Sequence, residues 1–111
     1  MANEFLQDEQ VRELADAMLT LSTQEEMLAF FEDIFTIREV QTVAQRLAVA
    51  RLLRRRVTYQ EIAERTGAST ATISRVNRCL SYGAGGYQTV LTRMEQDDQA
   101  DKNDEKQEEQ P

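Results

Sequence analysis

A chain of 111 residues with four glycines, one proline and 41% apolar residues has room for one mainly helical domain with a modest core. No apolar run approaches the ~20 residues that a membrane span requires, and Met1-Ala2-Asn3-Glu4 lacks the basic and apolar regions of a signal peptide. With no histidine, no metal-ligand cluster and no Gly-rich phosphate loop on a strand–helix unit, the chain is not expected to be an enzyme. Its single cysteine, Cys79, cannot form an internal disulfide, which fits a reducing cytoplasm. The expected role of Cys79 is that of a small buried apolar residue on a helix.

The net charge of −7 argues against a nucleic-acid partner until its distribution is read. Residues 1–37 hold nine acidic groups and one Arg, giving −8. Residues 38–93 hold ten Arg and three Glu, giving +7, and residues 94–111 hold eight acidic groups and two Lys, giving −6. Binding to DNA follows local rather than total charge.

In chain order, residues 5–21 carry a first helical pattern, with Leu6, Leu14, Ala17, Met18 and Leu21 near one face. Thr23 and Glu26 have the spacing of a capping box and open a short helix through Met27, Leu28, Phe30, Phe31 and Ile34. Thr36 and Glu39 make a second such start. The third helix is apolar on more than one face from Val40 to Leu53, whereas a surface helix of a small monomer shows one stripe. Such a helix needs partners on several sides, which points to a homodimer with paired N-terminal helices. A helix central to a monomeric bundle is the plainer alternative.

Arg54, Arg55 and Arg56 follow directly. A basic triplet is favoured at a helix C-terminus by the helix dipole, and beside a recognition unit it is also expected to contact phosphates.

Residues 58–82 read as two short helices joined by a tight turn. Thr58 and Glu61 repeat the capping-box spacing, Gly67 suits a left-handed helix end, and Ser69 suits the cap of the next helix. Ile62, Ala63, Ile73 and Val76 are expected to face inward. This is the pattern of a helix-turn-helix, whose second helix enters the DNA major groove. That helix offers Ser69, Thr70, Thr72, Ser74, Arg75, Asn77 and Arg78. Hydroxyls suit phosphates and base edges, Arg pairs with guanine, and Asn pairs with adenine. The same side chains would also simply solvate an exposed helix; the turn and the small-residue pattern beside them favour DNA.

Gly83, Gly85 and Gly86 end the second helix, and a last short helix over residues 87–96 is expected to turn Val90, Leu91 and Met94 inward. The segment 97–111 is almost devoid of apolar residues and is expected to be a disordered acidic tail. Such a tail either aids solubility or folds back over the Arg-rich surface.

On Leu52-Leu53, Gln60-Glu61-Ile62, Thr66-Gly67-Ala68-Ser69 and Ala71-Thr72-Ile73-Ser74-Arg75, the chain resembles the Trp repressor superfamily, most nearly its YerC/YecD group. The likeness spans residues 5–95. It implies an all-α, intertwined homodimer of about six helices that represses transcription from palindromic operators. Arg75 matches an Arg that holds the tryptophan co-repressor, and a second such Arg maps to Arg46 or, one residue away, to Gln45. Val76, however, stands where the family has the glycine that makes room for the indole, and Cys79 stands where it has a serine. Tryptophan is therefore not expected as a cofactor, and a different small-molecule effector stays open.

The resulting expectation is a dimeric, sequence-specific DNA-binding regulator acting through residues 69–81, with Thr70, Thr72, Arg75 and Arg78 as the leading contacts. The alternative is a helical protein-interaction module in a transcription or replication assembly.

Overall fold

The computed structural model describes residues 4–108, with side chains as far as Lys102. The described residues form one 3-10 turn (Glu4–Gln7) and six α-helices: α1 (Glu9–Leu19), α2 (Gln24–Ile34), α3 (Ile37–Arg54), α4 (Tyr59–Thr66), α5 (Thr70–Tyr82) and α6 (Gly86–Glu108). None is long and apolar enough to cross a membrane. The contacts cluster into two units, one ending at Gln41 and one starting at Thr42.

The first unit is defined by caps rather than by a core. Asp8 accepts from the Gln10 amide at 2.7 Å with extended backbone, so the helix expected over residues 5–21 begins only at Glu9. Thr23 and Glu26 form both arms of their capping box. Thr36 and Glu39 do the same, at 2.8 and 3.1 Å. Among residues 4–41 none is buried. Leu14, Met18 and Leu21 are half-buried on their expected face, while Leu6 and Ala17 are exposed.

The second unit holds the core. Val49, Ala50, Leu52, Ile62, Ala68, Ile73, Val76 and Leu91 are buried together, with Leu53, Val57, Leu80 and Met94 packed around them. Ile62, Ile73, Leu91 and Val49 are the largest side chains wholly withdrawn from water, each worth roughly 1.5–3 kcal/mol. Val90 is not inward: it remains 46% exposed, one residue out of phase with Leu91.

The C-terminal end of α3 is closed by a Schellman arrangement, with Val57 N–H donating to Leu52 O at 3.1 Å and Arg56 N–H to Leu53 O at 3.0 Å. The left-handed position is occupied by Arg56, at φ 63°, rather than by glycine.

The last helix does not stop near Gln96 but continues to Glu108. Its Gln, Asp, Glu, Lys and Ala residues include no breaker, and Arg51 reaches Asp98 at 3.6 Å. Low hydrophobicity, which suggested disorder, here accompanies a solvated helix; residues 109–111 lie outside the described residues.

Candidate nucleic-acid interface

The helix-turn-helix is assembled by local chemistry. Thr58 Oγ1 accepts from Glu61 N–H at 3.2 Å and starts α4. Glu61 does not complete a capping box there and lies 4.0 Å from Arg65 instead. Gly67 closes α4 at φ 74° and donates to Ala63 O. Ser69 then caps α5, accepting from Thr72 N–H at 3.1 Å, with its hydroxyl also bonded to Thr72 Oγ1 at 3.1 Å. Ile62 and Ala68 from α4 and the turn, with Ile73 and Val76 from α5, lock the two helices together.

The recognition-helix residues divide between two faces. Thr70, Ser74, Asn77 and Arg78 are exposed, and helical periodicity places them on one side, with Ala71 between them. No residue of α5 is acidic. Thr72 and Arg75 instead line a cleft of about 170 Å³ with Arg46, Val76, Cys79 and Tyr87. Two of the four leading contacts thus belong to the cleft wall. Burial pushes the Tyr87 phenol above its ordinary value; Cys79 adds to that, while Arg46 and Arg75 oppose it. Cys79 is exposed at this cleft rather than buried in the core.

Geometry also separates Arg46 from Gln45. Arg46 lines the cleft beside Arg75, whereas Gln45 donates to the Thr66 carbonyl at 3.2 Å. Val76, only 2% exposed, is part of the core at the cleft floor.

The arginine triplet is divided three ways. Arg54 donates to Gln88 O, Thr92 Oγ1 and Glu95 Oε2 at 3.2, 2.9 and 3.3 Å, which commits it to α6. Arg55 lines a groove beside α3 and α4. Arg56 is exposed on the turn that leads into α4.

Residues 9–95 match the family model of the Trp repressor protein. The chain belongs to the Trp repressor family. It is 48% identical over 91 residues to YerC of Bacillus subtilis, an alignment that covers 82% of this chain and 88% of that one, which supports the YerC branch of the family. The crystal structure of a TrpR-like protein from Eubacterium eligens is 50% identical, with a TM-score of 0.79 over 83% of this chain and 95% of its own. A second crystal structure, from Staphylococcus aureus, is 45% identical with a TM-score of 0.80, covering 86% and 95%. The all-helical fold and the family together point to a DNA-binding transcription regulator.

The resemblance brought Arg46, Arg75, Val76 and Cys79 together, and all four line the cleft; what sequence reasoning missed is that Tyr87 and Thr72 complete it. The signal for Thr72 was its i, i+3, i+7 spacing with Arg75 and Cys79 along one face of α5.

Proposed function

We propose that this protein is a sequence-specific transcriptional repressor that binds palindromic DNA as a homodimer. The observation that carries the reading is α5: a Ser69-capped helix without acidic residues, on a rigid helix-turn-helix, exposing Thr70, Ser74, Asn77 and Arg78 together. Asn77 and Arg78 have the donor geometry to read adenine and guanine edges, while Ser69, Thr70 and Ser74 suit phosphates and nearby bases. Arg56 adds a phosphate contact from the entry to α4. Arg75 acts from the cleft wall, where its guanidinium borders both the cleft and solvent.

The dimer is supported by the first unit. Eighteen apolar residues between Phe5 and Val40 include no buried one, with Phe5 60%, Leu28 57% and Ile37 79% exposed. Surface of this kind marks an interface. Two recognition helices on a twofold axis would read half-sites about one helical turn apart.

The proposed regulator works without tryptophan, because the Val76 side chain occupies the core at the cleft floor. Selection of duplexes from a random DNA pool by the purified protein, with no ligand added, tests the whole reading. Enrichment of a palindrome is expected. Failure to enrich any sequence, with and without an amino-acid mixture, would overturn it.

A further inference from the structure

α6 reaches the end of α3 through charged side chains as well as through its buried Leu91. Arg54 donates to Gln88 O, Thr92 Oγ1 and Glu95 Oε2, which follow one another at helical spacing along one face of α6. The same face continues to Asp98, which pairs with Arg51 at 3.6 Å. Arg51 and Arg54 both stand in the last turn of α3. Arg55 and Arg56 follow at once, and neither has an ion-pair partner among the described residues. Screening at physiological salt acts over about 8 Å, so four guanidinium groups this close in the chain contribute to one field. Two of them carry a carboxylate of α6. Those carboxylates open the acidic block 94–111, of charge −6, and face the basic block 38–93, of charge +7.

We propose that the acidic face of α6 is an intramolecular counter-charge for the DNA-binding end of α3. Glu95 and Asp98 neutralise Arg54 and Arg51, and so lower the sequence-independent affinity of the protein for duplex DNA. The inference rests on the DNA-binding reading above and adds a restraint built into the fold. Exposed ion pairs contribute little to stability, and α6 is anchored by Leu91 in any case, so the main effect of the pairs is on the field. An arginine that already faces a carboxylate brings less net charge to a phosphate and displaces fewer counterions from the duplex. Phosphate contacts carry no sequence information. With two of them muted, the base-reading groups of α5 supply a larger share of the binding.

Titration of the full chain with a short duplex of scrambled sequence, repeated across a salt series, tests this. E95Q/D98N keeps the size of both side chains and removes both charges. It is expected to bind about tenfold or more tightly than the wild type at low salt, with a salt slope steeper by up to about two per chain. D97N/D101N removes the same charge from exposed positions of α6 that have no ion-pair partner among the described residues. It is expected to give a much smaller gain and the wild-type slope. Equal gains from the two variants would reduce the effect to net charge and overturn the inference, as would an E95Q/D98N protein that binds like the wild type. A wild-type chain that binds no duplex at all, selected palindromes included, would overturn the DNA-binding reading and this inference with it. Far-UV circular dichroism checks that E95Q/D98N folds. If it does not, D98N at its exposed position decides: about threefold tighter binding and a slope change of about one are expected, and wild-type behaviour overturns the proposal.

Discussion

Gln45 donates from its side-chain amide to the Thr66 carbonyl at 3.2 Å, so a residue of α3 holds the end of α4 from 21 positions upstream. Thr66 is wired locally as well: its hydroxyl donates to Ile62 O at 2.7 Å and accepts from Ala68 N–H at 3.2 Å. The turn that sets the angle between α4 and α5 is therefore tied down from both sides. Gln45→Leu is expected to cost about 1 kcal/mol, which lowers the Tm by roughly 4–8 °C in a domain of this size. It should also weaken DNA binding without changing the preferred sequence. Thermal melts and binding titrations check both, and an unaltered Tm would refute the role given to Gln45.

Arg56 holds a left-handed conformation, φ 63°, at the position where a Schellman closure favours glycine. A β-carbon there costs about 1–2 kcal/mol. Arg56→Gly is expected to keep or raise the Tm while DNA affinity falls and the salt slope shrinks by about one. Arg54→Ala should behave in the opposite way, since Arg54 is committed to α6: lower stability, unchanged salt slope. Identical behaviour of the two variants would contradict the division of the triplet.

The two glycines flanking the recognition unit are predicted to resist alanine for different reasons. At Gly67 a β-carbon finds open space, with Gln45 Nε2 no closer than 3.9 Å, but φ is 74°; asparagine, which tolerates this conformation, should restore part of the stability lost in Gly67→Ala. At Gly83 the backbone is ordinary, but a β-carbon would collide with the Cys79 carbonyl oxygen. Gly83→Ala and Gly83→Asn should therefore be equally harmful, by about 1–3 kcal/mol. Urea unfolding of the four variants separates dihedral strain from collision.

Glu26 and Glu39 are held below their ordinary value, chiefly because the Ser22 and Thr36 amides, respectively, donate to their charged forms. A depressed carboxylate stabilises the fold above its unfolded pKa, about 4.3, and that stabilisation is lost as pH falls through the lower folded value. Helix content in the first unit should thus decline below about pH 4. E26Q/E39Q should flatten that decline, because its capping arms no longer titrate; circular dichroism across acid pH gives the comparison.

What was legible in the sequence was whatever local chemistry decides. Thr23, Thr36, Gly67 and Ser69 each act within three or four residues and do what their spacing implies, and Thr58 caps α4 although Glu61 leaves its capping box half made. The core of Ile62, Ile73 and Val76 followed from periodicity alone. Facing decisions that depend on a distant neighbour were not legible. Thr72 and Arg75 border a cleft because Tyr87 and Arg46 arrive there from other helices. Arg54 is taken up by Gln88, Thr92 and Glu95, 34 to 41 residues away. The end of α6 is not legible either: polarity suggests disorder after Gln96, whereas polar residues without a breaker continue a helix already anchored at Leu91.

The absence of any buried residue between positions 4 and 41 bears on how the protein is kept in the cell. Helices of eleven residues are marginal in water by themselves, so this third of the chain draws its order from whatever covers it. A newly made single copy displays Phe5, Leu28 and Ile37 to chaperones and proteases. With the proposed dimer covering these side chains, surplus single copies are expected to be cleared, so that the surviving amount would track the assembled form and not the rate of synthesis.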